Sequence, residues 1–129
     1  MQYAAANAYA QAAKFAQPPR ELEAALLLKA AFRLQSLIDD WSKAGAELAP
    51  ALTYNGRIWS IIATSATEPT NPLPSAIKAS IAQLAVVIFQ RIFDISNGTA
   101  APEQLNLLVR INRDVAAGLR ASPAPAAAA

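Results

Sequence analysis

The segment ALTYNGRIWSIIATSA, Ala51 to Ala66, sets the main requirement that the fold must meet. Its apolar residues recur at spacings of three and four, which predicts a helix with one buried face. Asn55 and Gly56 interrupt that face, although a buried amide needs a hydrogen-bond partner and glycine lowers helix stability by about 1 kcal/mol. The fold must therefore satisfy Asn55, and only a close helix crossing against Trp59 or the approach of a foreign backbone would justify Gly56.

A second amide has the same problem near the end of the chain. Asn112 lies between Leu108 and Val115 on the apolar face of the last predicted helix. We expect Asn55 and Asn112 to form hydrogen bonds across the bundle, to each other or to a loop carbonyl. Such a bond would fix the register of the two helices, so both residues are assigned a structural role.

Helical periodicity dominates the whole chain, and no segment alternates apolar and polar residues as a strand does. The sequence predicts an all-α protein, a compact bundle of about five helices with a disordered alanine- and proline-rich tail. Residues 1–120 form one domain and residues 121–129 form the tail. The predicted helices cover about residues 3–16, residues 19 to a C-terminal cap at Gly45, residues 46–65 or 50–65, residues 75–96 and residues 102–119.

The distribution of apolar residues predicts which helix is central. The fourth predicted helix is apolar on two adjacent faces, which is typical of a helix surrounded by others. The second predicted helix carries a wide apolar stripe that a small bundle would then cover incompletely. Because the chain is 54% hydrophobic and only 16% charged, this surplus indicates a partner-binding surface.

The composition excludes several kinds of chemistry. The chain has no cysteine and no histidine, which excludes disulfides, thiolate chemistry, histidine general-base catalysis and the usual zinc sites. It also has no glycine-rich phosphate loop, no nucleophile elbow and no carboxylates with metal-ligand spacing. We therefore expect no enzyme activity, no metal and no cofactor.

Charge and hydropathy bear on nucleic acids and membranes. The net charge of +2 is spread over mixed sequence without a basic block, so a nucleic-acid partner is not favoured. Arg110 and Arg113 lie one turn apart and are more typical of a solvated helix surface. The apolar stretch 79–90 is too short to cross a bilayer, and the first residues lack a signal-peptide pattern. These features predict a cytoplasmic protein without membrane insertion.

Three motifs, taken in order, resemble the flagellar biosynthesis regulator FlaF family. They are PPRELEAALLLKAAFRL (18–34), ALTYNGRIWSIIA (51–63) followed by NPLP (71–74), and LLVRINRDVAAGLR (107–120). The resemblance extends from Tyr9 to Arg120. The chain departs from the pattern at Gln17, where a capping serine is expected, and at Gly56, where a second basic residue is usual.

The resemblance implies a small bacterial helical protein that acts in flagellin production and export, with flagellin and FlbT as expected partners. Our hypothesis is that an apolar groove captures an amphipathic flagellin helix, as a secretion chaperone would. The alternatives are post-transcriptional activation through FlbT or flagellin mRNA, and a bundle whose apolar surplus supports homodimerisation. The candidate partner-binding residues are Leu27, Leu28, Phe32, Tyr54, Arg57 and Trp59, although Trp59 is also typical of a core residue.

Overall fold

The computed structural model describes residues 19–121, and within that range it contains four α-helices, two short 3-10 helices and no strand. The α-helices are α1 (Pro19–Asp39), α2 (Ala44–Thr67), α3 (Ser75–Ser96) and α4 (Asn106–Ala121); the 3-10 helices are Trp41–Lys43 and Pro102–Leu105. The predicted all-α class is confirmed. The first helix of the prediction, at 3–16, and residues 122–129 of the tail lie outside the described residues.

The boundary between α1 and α2 differs from the prediction. Gly45 does not cap α1: the helix ends at Asp39, and Gly45 is the second residue of α2. Asp40 breaks the helical run with φ −140° and ψ 82°, and its carboxylate accepts a hydrogen bond from the Ser42 hydroxyl. Pro50 lies inside α2 rather than at its start, on the exposed side of the second turn.

Helix α1 is the centre of the bundle, because it packs against both α2 and α4. Its buried residues are almost completely inaccessible to solvent, and half of them are alanines, which let neighbouring helices approach closely. They are Ala24, Leu27, Ala30, Ala31, Leu34 and Leu37. The wide apolar stripe of α1, which was expected to be incompletely covered, is therefore largely buried.

Helix α3 is peripheral, so the prediction that it would be central is wrong. It packs mainly on α2 and touches α4 only briefly. Ile81, Ala85, Ile88 and Ile95 are buried, whereas its second apolar face points into solvent. The error arises because two apolar faces are equally typical of a central helix and of a peripheral helix that keeps one face for a partner.

The length of α3 also changes the membrane argument. The helix has 22 residues, and its most apolar window has a mean hydropathy of 1.5. By length and composition alone it could cross a membrane, whereas the stretch 79–90 considered by itself could not. In this structure, however, one side of α3 forms part of the bundle core.

Asn71, from the NPLP motif, fixes the loop between α2 and α3. Its side-chain nitrogen donates to the Ser65 carbonyl oxygen at 3.0 Å and to the Ser65 hydroxyl oxygen at 3.2 Å. Its side-chain oxygen accepts from the Leu73 amide at 2.9 Å, and Leu73 is buried. The loop is thus tied to the last turn of α2, which sets where α3 begins.

Glu23 in α1 is held against the same turn. Burial removes water from its carboxylate and raises the pKa of Glu23 above the ordinary value of 4.5, while a hydrogen bond with Ser65 partly offsets the rise. A carboxyl group with a raised pKa in the folded state stabilises the fold when protonated. That contribution is complete below about pH 4.5 and is lost as the pH rises through the folded pKa.

We therefore expect Glu23→Gln to raise the free energy of unfolding at pH 7, because glutamine keeps an acceptor for Ser65 without a partly buried charge. The gain should shrink as the pH falls through the raised pKa of Glu23 and should be absent below about pH 4.5, where Glu23 is neutral. Urea unfolding at several pH values measures both effects. The exposed Glu68→Gln is the matched control, and a Glu23→Gln gain that did not change with pH would contradict this account.

Candidate partner-binding surface

A chain of buried polar groups links α2 to α4. The Trp59 indole nitrogen donates to the Asn112 side-chain oxygen at 2.7 Å, and the Asn112 side-chain nitrogen donates to the Asn55 side-chain oxygen. All three side chains are fully buried. The expected hydrogen bond between the two asparagines is present, and Trp59 is an additional member that the sequence pattern did not indicate.

This series of hydrogen bonds leaves one donor without a partner. The Asn55 side-chain nitrogen is buried and has no hydrogen-bond partner among the described residues. A buried amide nitrogen in that state costs on the order of 1–3 kcal/mol. Its oxygen nevertheless satisfies Asn112, and a shift of either helix by one residue would separate the pair. This geometry supports the proposed register role.

From the sequence, a close helix crossing against the ring of Trp59 was one possible reason for Gly56. In the structure Gly56 lies beside α3 instead. A β-carbon at position 56 would lie 3.6 Å from Ile92 Cδ1 and 3.9 Å from Phe89 Cε1, which is ordinary van der Waals contact. Packing within the chain therefore does not require glycine here. Gly56 is partly buried and faces Ile92 and Phe89 of α3.

Tyr54 organises the outer side of the α1/α2 pair. Its ring lies under two cations of α1, with Lys29 Nζ 5.8 Å and Arg33 Cζ 5.0 Å from the ring centroid. Two shallow cavities of about 250 and 470 Å³ adjoin this site and share Arg33 and Pro50 in their walls. Phe32 lines the first cavity and Arg57 lines the second. We call this surface the α1/α2 face.

The structure brings some of the predicted binding residues together and buries others. Phe32, Tyr54 and Arg57 lie around Arg33 on the α1/α2 face, where Phe32 is 71% exposed. Leu28 is partly buried against the core. Leu27 and Trp59 are fully buried, so a direct contact with a partner does not fit this conformation for either side chain. Leu27 lies within the core around α1, and Trp59 turns its nitrogen toward Asn112.

The largest exposed apolar row of the described residues lies on α3. Its members are spaced three or four residues apart and are all exposed: Ala79, Ala82, Val86, Phe89 and Phe93. Val86 is 68% exposed and Phe93 is 63% exposed. We call this surface the α3 row. The sequence analysis recognised the spacing as a second apolar face but assigned it to the core.

The described residues contain no group of three or more acidic side chains that could hold a metal ion. The described residues form a small helical bundle whose surface presents an exposed apolar row and a basic cluster.

Comparison with known proteins identifies the family. The model of the flagellar protein FlaF family matches residues 5–119, so the chain belongs to the FlaF family. This is a family of flagellar regulators and not a known enzyme family. No curated protein and no solved structure gave a significant match.

The hydrogen bonds among Trp59, Asn112 and Asn55 predict that replacing the two asparagines has unequal effects on stability. Asn55→Leu removes one unpaired donor and leaves another, at Asn112, so the free energy of unfolding should change little. Asn112→Leu leaves the Trp59 nitrogen and both the side-chain oxygen and nitrogen of Asn55 without partners. It should therefore cost at least about 2 kcal/mol more than Asn55→Leu. Urea unfolding of the two variants measures the difference. Equal losses would show that the observed hydrogen bonds do not determine stability.

Gly56→Ala tests whether the packing of α2 against α3 requires glycine at position 56. Alanine restores helix propensity and fits against Ile92, so we expect the variant to gain about 1 kcal/mol of stability. The matched control is Gly45→Ala, because a β-carbon at Gly45 meets nothing within 4 Å. Thermal or urea unfolding compares the two. A loss of stability in Gly56→Ala alone would mean that α2 and α3 approach more closely than the structure shows.

Proposed function

We propose that the protein is a cytoplasmic regulator of flagellar assembly that binds flagellin and covers one of its amphipathic helices before export. Membership of the flagellar FlaF family supports the flagellar context. An amphipathic helix has an apolar stripe that aggregates unless it is covered, and a second apolar row of matching spacing is a surface suited to cover it.

The observation that carries this proposal is the α3 row. Spacings of three and four from Ala79 to Phe93 are those of a helix that packs against another helix. The row has aromatic anchors at Phe89 and Phe93, and aromatic residues contribute strongly to binding energy at interfaces. Gly56 lies beside Phe89, and because it has no side chain it would let a partner helix approach the junction of α2 and α3.

The size of the row argues for a transient complex. Complete cover of Val86, Phe89 and Phe93 would bury about 300 Å² of this chain, from typical side-chain areas and their exposed fractions. A symmetric pair of copies would then bury about 600 Å² through the row, below the roughly 1,200 Å² of a stable interface. The row therefore favours a chaperone-like contact with a partner helix over a stable homodimer.

The α1/α2 face supplies the charged part of the proposed binding surface. Lys29, Arg33 and Arg57 form a basic cluster around Tyr54, and Phe32 is the exposed apolar group next to it. In this proposal Leu28, Phe32, Tyr54 and Arg57 make a second contact with an acidic segment of the partner.

The same basic cluster favours one alternative, in which the protein regulates flagellin production through FlbT or flagellin mRNA. Direct binding of RNA through Lys29, Arg33 and Arg57 would depend steeply on salt concentration, because each neutralised phosphate releases counterions. Binding of flagellin would keep the apolar contribution of the α3 row at high salt and lose only the part that the α1/α2 face contributes. Titration at two salt concentrations therefore distinguishes the two roles.

The test is isothermal titration of the protein with monomeric flagellin, and in parallel with flagellin that lacks its terminal helices. We expect saturable binding with a negative heat-capacity change, lost on truncation, since apolar surface is buried. Phe93→Glu should weaken this binding at least tenfold. Both Phe93 and Phe32 are mostly exposed, so Phe32→Glu is a matched variant that should retain the fold and test the α1/α2 face.

The outcomes separate the two surfaces and the proposal itself. A tenfold loss in Phe93→Glu with a smaller loss in Phe32→Glu supports the α3 row as the main site. A loss confined to Phe32→Glu would transfer the site to the α1/α2 face. No binding of flagellin by the folded wild-type protein would overturn the proposal and leave FlbT as the next partner to test.

A further inference from the structure

An apolar groove between α3 and α4 is distinct from both surfaces described above. Its cavity measures about 170 Å³, and Ser80 contributes the only polar side chain to its walls. The lining residues are Ile77, Ser80, Ile81 and Leu84 from α3 and Val115, Gly118 and Leu119 from α4. The groove exists because α3 leans on α2 and meets α4 only briefly.

The groove continues along α3 beyond the cavity. Val87 is seven residues from Ser80 and three from Leu84, so it lies on the same side of the helix. Val87 is 42% exposed and belongs to this side rather than to the α3 row, which lies on the other side of α3. An apolar strip thus extends from Ile77 to Val87, about 15 Å at the helical rise of 1.5 Å per residue.

The start of α1 lies at the rim of this groove. The Arg120 side-chain nitrogen donates to the Glu21 carboxylate at 2.7 Å, which joins the first turn of α1 to the last turn of α4. Leu119, next to Arg120, lines the groove. Residues 1–18 therefore enter the described structure beside one end of the apolar strip.

We propose that residues 3–16 of this chain occupy the groove between α3 and α4. The sequence predicts a helix over these residues, and a helix of 14 residues would be about 21 Å long, sufficient to follow the strip from its rim past Val87. The segment is mostly alanine, whose small side chain lets one helix approach another closely. The family match begins at residue 5, so the segment belongs to the part of the chain that the FlaF family shares.

The absence of cysteine from the chain makes a direct test practical. Ser80→Cys places a single nitroxide label in the groove, at an exposed position whose hydroxyl bonds only within its own helix. Thr64→Cys is the matched control. It is exposed and lies at the same end of the bundle, since its neighbour Ser65 contacts Glu23 of α1, but it lies on α2 outside the groove. The measurement is paramagnetic broadening of the backbone amide signals of residues 3–16 in the full chain.

We expect the label at position 80 to broaden the signals of residues 3–16 at least threefold more than the label at position 64. Equal broadening from the two labels would overturn the proposal, because it would mean that the segment does not prefer the groove. A second sample mixes isotope-labelled protein with spin-labelled protein. Broadening of residues 3–16 only between molecules would also overturn it, in favour of a second copy as the occupant. These outcomes do not depend on flagellin binding.

Discussion

The hydrogen bonds that join Trp59, Asn112 and Asn55 tie α4 to α2 in the core. Helix α4 packs mainly along α1, and apolar packing is non-directional, so packing alone would define the position of α4 relative to α2 only loosely. The buried amides restrict that position, because an amide moved by one residue would lose its partner inside the core. The alignment of α4 then places Leu119 and Arg120 beside the start of α1, so the α3/α4 groove depends on the same contact.

A second constraint decides which helix remains exposed. The alanines of α1 let α2 and α4 approach it closely, so α1 lies at the centre. Helix α3 is therefore held at the edge by α2 and by the Asn71 loop, and it retains the apolar row that ends at Phe93. The most apolar helix, α3, is peripheral because α1, with its small buried side chains, is better suited to the centre.

The sequence predicted the helices of the described region well, since the proline-rich loop 67–74 and the segment around Asn97 are strong local breaks. It also predicted the pairing of Asn55 with Asn112, because two amides on apolar faces have few ways to be satisfied. It failed for Gly45 and Pro50, whose local preferences are outweighed by the break at Asp40. The position of α3 could not be predicted, because periodicity identifies apolar faces but not which face is covered. For the same reason Leu27 was named as a candidate binding residue although it is buried, Trp59 was a candidate for either role, and the α3 row was assigned to the core.

The central claim of this account is that the exposed row of α3 holds a flagellin helix. The most direct measurement places a photo-crosslinking amino acid at position 93, or at position 32 for comparison, and maps the crosslinked residues of flagellin by mass spectrometry. The account predicts crosslinks from position 93 to one apolar stripe of a terminal flagellin helix, at spacings of three and four. Crosslinks from position 93 that are absent, or scattered over flagellin without such spacing, would contradict it.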